Sequence, residues 1–248
     1  LLRRGMDALG LEQSLDLSGR ASSSAQVFVG PDGDRAIYMM RGATGDLTPE
    51  DIDRHHAAMI RRAGVVTTEV SQVPLATVQR VLERAREVGA TTVLDLDVPL
   101  ADAVPALGTE AELVTCLGLA DVLKPSLAAA VGLVPSGSPE QVARALADRF
   151  GNTTVAVTLG ADGALIWSGG EATSVPAPEV DVLDTTGAGD AFLGGFVAGL
   201  HMGLDVQGCA RLGTACGAAC CERWGGFPDD PGACLTRVLA LYEGLGGE

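Results

Sequence analysis

The stretch Val182-Leu183-Asp184-Thr185-Thr186-Gly187-Ala188-Gly189-Asp190-Ala191-Phe192 carries a glycine-rich turn straight into an apolar segment, AFLGGFVAGL. A turn of this kind leaves the backbone N–H groups of Gly187, Ala188 and Gly189 unpaired at a helix N-terminus, where the helix dipole favours an anion. Asp190 falls in the first turn of the same helix. An anion hole beside a carboxylate is the equipment of phosphoryl transfer to an alcohol. The amides stabilise charge spreading over the transferred group, and the carboxylate accepts the hydroxyl proton. The same spacing also suits a helix-start acid after a tight turn with no chemistry attached, and spacing alone leaves both readings open. A dinucleotide fingerprint is disfavoured, because Gly187-x-Gly189 would need glycine at the position held by Phe192.

The elements that must position this turn are legible from periodicity and punctuation. Residues 26–40 read as a hairpin, with strands over 26–29 and 35–40 and a turn at Pro31-Asp32-Gly33-Asp34. Strands follow over 65–68, 91–96 and 121–124, with helices after Pro74 to about residue 88 and over 109–117. Ser138-Pro139-Glu140-Gln141 combines an N-cap, a proline at the first helical position and a capping-box partner, and opens a helix that runs to Phe150. A continuous apolar strand spans 154–158, short strands lie at 164–167 and 173–175, and helices close the chain at about 188–202, 206–222 and 232–245. Strands alternating with helices imply βαβ units and a mostly parallel sheet covered on both faces, in one α/β domain over 1–248.

Composition narrows the function. The chain of 248 residues has 17 basic and 32 acidic side chains and a net charge of −15, against the basic footprint of a nucleic-acid binder. Hydrophobic residues, at 47%, suffice for a sizeable core. Lys124 is the only lysine, and it precedes Pro125, so neither a Walker A loop nor the strand lysine of a protein kinase is present. Phosphate chemistry is therefore expected to rest on something other than those two motifs. The six cysteines (116, 209, 216, 220, 221 and 234) contain no Cys-x-x-Cys pair and read as buried small hydrophobes in a reducing compartment. With no leading signal peptide and no 18-residue apolar run, a cytoplasmic address is expected, an organelle being the other choice, with no membrane partner. His55, His56 and His201 have neither metal-ligand spacing nor a nucleophile-elbow partner and read as surface residues.

Asp184-Thr185-Thr186-Gly187-Ala188-Gly189-Asp190 closely resembles the C-terminal signature of the ribokinase-like, or PfkB, family of carbohydrate kinases. The resemblance extends to Thr158-Leu159-Gly160-Ala161-Asp162-Gly163, similar to the family's Thr-x-Gly-x-x-Gly nucleotide loop. Arg223-Trp224-Gly225-Gly226, after the small-residue run GTACGAACC, is similar to its closing segment, and Gly42-Ala43 with a Thr-Pro-Glu-Asp helix start is also family-like. The resemblance implies a three-layer α/β/α sandwich with a small β lid remnant, and an ATP-dependent kinase acting on a small-molecule sugar. It implies Asp190 as catalytic base and Gly187, Ala188 and Gly189 as the anion hole. Thr158, Gly160 and Gly163 would approach the ATP phosphates, and Thr214 and Gly217 would flank the adenine. Asp184 and Thr186, with the region of Cys220, Arg223, Gly225 and Asp229, would hold a potassium ion. A homodimer paired through the lid strands is implied as well, in keeping with an exposed hairpin bearing Ile37, Tyr38 and Met39.

The resemblance also has departures. Where many members carry Asn-x-x-Glu to organise magnesium and phosphate, this chain has Ser126-Leu127-Ala128-Ala129. Magnesium would then be held by ATP, water and other carboxylates, with Asp95 and Asp97 at a strand end as candidates. The chain starts at Leu1, within what reads as a helix, and nothing before it resembles the family's early Asp or its Gly-Gly-x-x-x-Asn segment. An N-terminally incomplete kinase is expected, with a nucleoside kinase of the same family or a non-catalytic scaffold as the alternatives.

Overall fold

The structure, a computed structural model, describes residues 2–15, 18–29, 35–98 and 100–246. Its centre is a six-stranded sheet made of β3 (Val65–Val70), β4 (Thr91–Leu96), β5 (Val122–Pro125), β6 (Thr154–Thr158), β7 (Ala164–Ser168) and β8 (Glu171–Val175). The strands lie side by side in chain order; β3 to β6 are parallel, and β7 and β8 are antiparallel additions at one edge. A separate antiparallel ribbon, β1 (Ser24–Val29) with β2 (Arg35–Met40), stands apart from the sheet. The turn expected at 31–34 lies outside the described residues.

Alternation along the parallel strands splits their side chains between two apolar layers. Leu94, Leu96, Leu123, Val155 and Val157 face one way and pack with Leu75, Leu82, Leu113, Leu117 and Leu146. These come from the helices Leu75–Glu87, Glu110–Leu119 and Pro139–Phe150. Val93, Val122, Ala156 and Ile166 face the other way, against Phe192, Phe196 and Cys209. Those belong to the helices Ala188–Met202 and Val206–Cys221. The result is the three-layer α/β sandwich with a mostly parallel sheet. Each fully buried Leu contributes about 1.5–3 kcal/mol on leaving water, so the two faces together supply most of the cohesion.

The helix Ala188–Met202 is held at unusually close range by Val206–Cys221. A Cβ on Gly195 would lie 2.7 Å from the Leu212 carbonyl oxygen and 2.9 Å from Gly213 Cα. Backbone therefore meets backbone there, and the small-residue composition of both helices has its physical reason. Phe192 and Phe196 stack at 6.1 Å on the sheet side of the first helix. Its N-terminal turn is thus anchored in direction by packing two turns further along.

Candidate active site

The carboxyl ends of β3, β4 and β5 open into a cleft of about 650 Å³. Ligands of open α/β sheets collect at that end, where loops rather than helices follow the strands. The helix Ala188–Met202 brings Gly187, Gly189 and Asp190 to one wall. The sheet supplies Glu69, Asp95, Asp97 and Lys124, with Ser71 and Gln72 just beyond β3. From the ribbon come Ile37 and Met39, and Arg41 just beyond it donates from its guanidinium to the Ala106 carbonyl across the opening.

The helix wall is made by backbone. Gly187 is the N-cap residue at φ 82°, and no side chain caps the turn. A Cβ at Gly187 would lie 2.9 Å from Gly226 Cα, so the glycine is needed both for its left-handed conformation and for a close approach. The first-turn amides of a helix have no intrahelical acceptor. That of Ala188 donates to the Thr185 carbonyl at 3.2 Å, whereas Gly187 and Gly189 border the cleft directly. Asp190 is exposed at its edge.

The loop before this turn is tied to the segment that follows the helix Val206–Cys221. Asp184 accepts from the Thr186 N–H at 2.9 Å and from the Gly225 N–H at 3.0 Å. The Cys220 thiol faces the Thr186 carbonyl at 3.6 Å, and the Leu183 and Asp184 amides donate to the Cys221 carbonyl. Asp184, Thr186, Cys220 and Gly225 are thereby brought together. Arg223 turns its guanidinium to Cys234 Sγ at 3.1 Å, and Asp229 is exposed on the loop beyond.

Thr158 closes β6 and bridges to Ser126, so the loop Gly160–Asp162 leaves the sheet at the same carboxyl edge as the cleft. Gly163, at φ 90°, would place a Cβ 2.0 Å from the Val175 carbonyl oxygen, and no other residue fits this return into β7. Thr214 and Gly217 are buried in the helix Val206–Cys221. A Cβ at Gly217 would meet the Ala188 carbonyl at 3.2 Å, and the Thr214 hydroxyl has no hydrogen-bond partner among the described residues.

The sheet wall holds what sequence reasoning missed. Glu69, Asp95 and Lys124 are register partners on three adjacent strands. Lys124 and Asp95 are almost fully buried and joined by an ion pair, with Nζ at 2.9 and 3.0 Å from the two carboxylate oxygens. Of the two carboxylates expected near magnesium, Asp95 thus accepts from Lys124 through both oxygens, and Asp97 lines the cleft beside it. Burial pushes the Asp95 carboxyl up from its usual range, with the Lys124 ammonium opposing that pull. Burial, then the charges of Asp190, Asp95 and Asp97, push Glu69 up as well. One signal was available: a lone charge in the otherwise apolar strand Val-Leu-Lys-Pro, at the carboxyl end where α/β sites lie.

No group of three or more His, Cys, Asp or Glu among the described residues is arranged to ligate a metal ion. Ser126 and Ala129 stand where Asn-x-x-Glu would place its polar groups. The Ser126 hydroxyl accepts from the Ala129 N–H at 3.3 Å as a helix cap, and Ala129 is buried. These residues do not fit a protein-held magnesium. Nor is any helix among the described residues long and apolar enough to cross a membrane.

A three-layer α/β sandwich whose glycine turn and first-turn aspartate face a cleft at the carboxyl ends of parallel strands defines the ribokinase-like class of protein. The sequence matches the pfkB family of carbohydrate kinases over residues 7–231, and the chain belongs to that family. It is 26% identical over 239 residues to ribokinase from Arabidopsis thaliana, covering 92% of this chain and 59% of that protein. A 90-residue stretch is 50% identical to inositol 3-kinase from Oryza sativa subsp. japonica, which is 36% of this chain and 22% of that protein. The crystal structure of ribokinase from Thermotoga maritima matches at a TM-score of 0.78 and 24% identity, over 98% of this chain and 76% of that one, a likeness of fold. The chain thus spans less than two thirds of the length of these curated relatives.

Proposed function

We propose that the protein is an ATP-dependent carbohydrate kinase that transfers the γ-phosphoryl group of ATP to a hydroxyl of a small-molecule sugar. The observation that carries this reading is the meeting of Asp190 with the Gly187–Gly189 turn in the wall of the cleft. Asp190 takes the proton of the acceptor hydroxyl as its oxygen attacks phosphorus. The turn amides of Gly187, Ala188 and Gly189 receive the charge that spreads over the transferred group; that of Ala188 would first leave the Thr185 carbonyl. Thr158, Gly160 and Gly163 approach the nucleotide phosphates from the neighbouring strand end, and the region of Thr214 and Gly217 lies toward the adenine. The apolar ribbon side chains Ile37 and Met39 help keep water from the acceptor.

Magnesium accompanies ATP in this reading and is carried by the nucleotide rather than by a protein cage. A potassium ion suits the other side of the turn, where backbone carbonyls near Asp184, Thr186, Cys220, Arg223, Gly225 and Asp229 offer oxygen. When bound, it would stiffen the loop that sets Gly187. The ribbon, with Val27, Phe28, Tyr38 and Met40 exposed, supports pairing of two copies through lid strands. A cytoplasmic setting agrees with six free cysteines among the described residues.

A nucleoside acceptor is the neighbouring alternative, and a scaffold without catalysis is the distant one. The decisive experiment incubates the native protein with Mg-ATP and a panel of pentoses, hexoses, inositols and nucleosides, following ADP release and product mass. One sugar phosphorylated well above the rest supports the reading, and a nucleoside in that place replaces it with the alternative. ATP neither bound nor consumed with any acceptor leaves the scaffold reading.

A further inference from the structure

Lys124 occupies a position that packing alone does not explain. The residue is buried to all but 2%, yet it lines the cleft. An ammonium has three donors, and the two oxygens of Asp95 are its only hydrogen-bond partners among the described residues. At least one N–H is therefore left without an acceptor, in a place where an unmet donor is costly. The Nζ atom lies 3.2 Å from where a Cβ on Gly189 would be, directly against the underside of the turn that presents its amides to the cleft. A side chain at position 189 would crowd the ammonium there.

The charge around it points the same way. The cleft is lined by four carboxylates, Glu69, Asp95, Asp97 and Asp190, against the two cations Lys124 and Arg41. Arg41 is already turned to the Ala106 carbonyl at the mouth. A triphosphate entering such a cleft meets carboxylates on most sides, and finds favourable ground at the turn, at Arg41 by the opening and at the Lys124 ammonium. Ordinary buried ion pairs add little to stability over apolar replacements, so a pair kept in the wall of an acidic cleft invites another role.

We propose that Lys124 is a catalytic residue that directs its spare N–H to the transferred phosphoryl group beside Gly189, at a cleft where the Ser126 hydroxyl is taken up in a helix cap and Ala129 has no polar side chain. The inference rests on the kinase reading above. In the step itself the bond from the γ-phosphorus to the β-phosphate oxygen breaks and the bond to the acceptor oxygen forms. The hydroxyl proton passes to Asp190, ADP leaves, and Lys124 keeps all its protons. Asp95 holds the ammonium under the turn and is a positioning residue.

The only lysine of this chain gives a direct test. In the native protein labelled with [15N]lysine, the Lys124 Nζ signal, assigned by its loss in Lys124→Arg, is expected to move on adding Mg-ATP and to stay nearly in place with Mg-ADP. A signal indifferent to both nucleotides, in a protein that binds both, overturns the proposal. The paired variant Asp95→Asn with Lys124→Met removes both charges together, and its fold is checked by its unfolding midpoint. It is expected to lose kcat by about 10²–10³-fold, as for loss of one oxyanion donor. Its preference for ATP over ADP should fall about tenfold or more while ADP affinity stays within a few-fold, and Lys124→Arg should restore part of that preference. A folded paired variant with unchanged kcat and unchanged preference reduces the pair to a structural contact. An unaltered protein that neither binds ATP nor phosphorylates any acceptor overturns the kinase reading itself, a result distinct from failure at Lys124.

Discussion

The helix wall of the cleft and its sheet wall meet at Gly189 and Lys124 but are built from different materials. Gly187–Gly189 offers backbone amides whose direction follows from one left-handed N-cap and from the depth of helix packing behind it. Glu69, Asp95 and Lys124 offer side chains whose neighbourhood follows from the register of three strands. Backbone donors survive any substitution but proline, yet are easily displaced. Side chains can be removed singly, at the cost of whatever charge they leave behind. Damage to the first wall should thus act through conformation, and damage to the second through electrostatics.

The largest effect is expected at the one side chain of the helix wall. Asp190→Asn should lower kcat of the native protein by about 10²–10⁴-fold while ATP affinity stays within a few-fold, read from steady-state kinetics and calorimetry. Turnover preserved in that variant would remove Asp190 from the mechanism and leave the glycine turn as a plain helix start.

On the sheet wall, Lys124→Met alone should destabilise the fold by about 3–5 kcal/mol in urea unfolding, since it strands a buried carboxylate. Adding Asp95→Asn should recover most of that loss. Equal destabilisation by the single and paired changes would mean that shape, not charge, governs this wall. Gly187→Ala should cost about 1–3 kcal/mol, because it forces a side chain into a left-handed residue 2.9 Å from Gly226 Cα. No loss there would show that the turn has room to move and would blur the contrast between the walls.

The smallest effect concerns pH. The Glu69 carboxyl sits above its ordinary value near 4.5, first from burial and then from the charges of Asp190, Asp95 and Asp97. In the window between the ordinary and the raised value, the folded chain holds a proton that the unfolded chain releases. Stability attributable to Glu69 therefore falls as pH rises through that window, and the cost disappears below it. Glu69→Gln is expected to raise the unfolding midpoint modestly at neutral pH and to lose that advantage near pH 4. An advantage that persists in acid would point to packing instead.

Much of the fold was readable because its signals are local. The strands at 91–96 and 154–158 appear with the expected bounds, and Ser138 with Gln141 forms the expected capping box. The Thr-Pro-Glu-Asp start is likewise a capping box between Thr48 and Asp51. The helices Leu100–Leu107 and Leu127–Leu133 are not legible in the sequence, the first because Pro105 lies inside it, the second because it is only seven residues long. Within the site, the glycine turn was legible for the same local reason. The Lys124–Asp95 pair was not, since its members lie 29 residues apart and meet only through strand register.

From sequence alone came the turn chemistry, the capped helices, the alternation of strand and helix, and the family to which they belong. Each depends on residues within one or two turns of one another, where backbone preference and side-chain type act directly. The tertiary structure alone decided that three charges from separate strands form a row, that Asp95 pairs with Lys124, and that the ammonium lies against Gly189. Those outcomes require register between parallel strands and the depth at which one helix docks on another. Both are set by the packing of the whole core, so no short stretch of residues carries them.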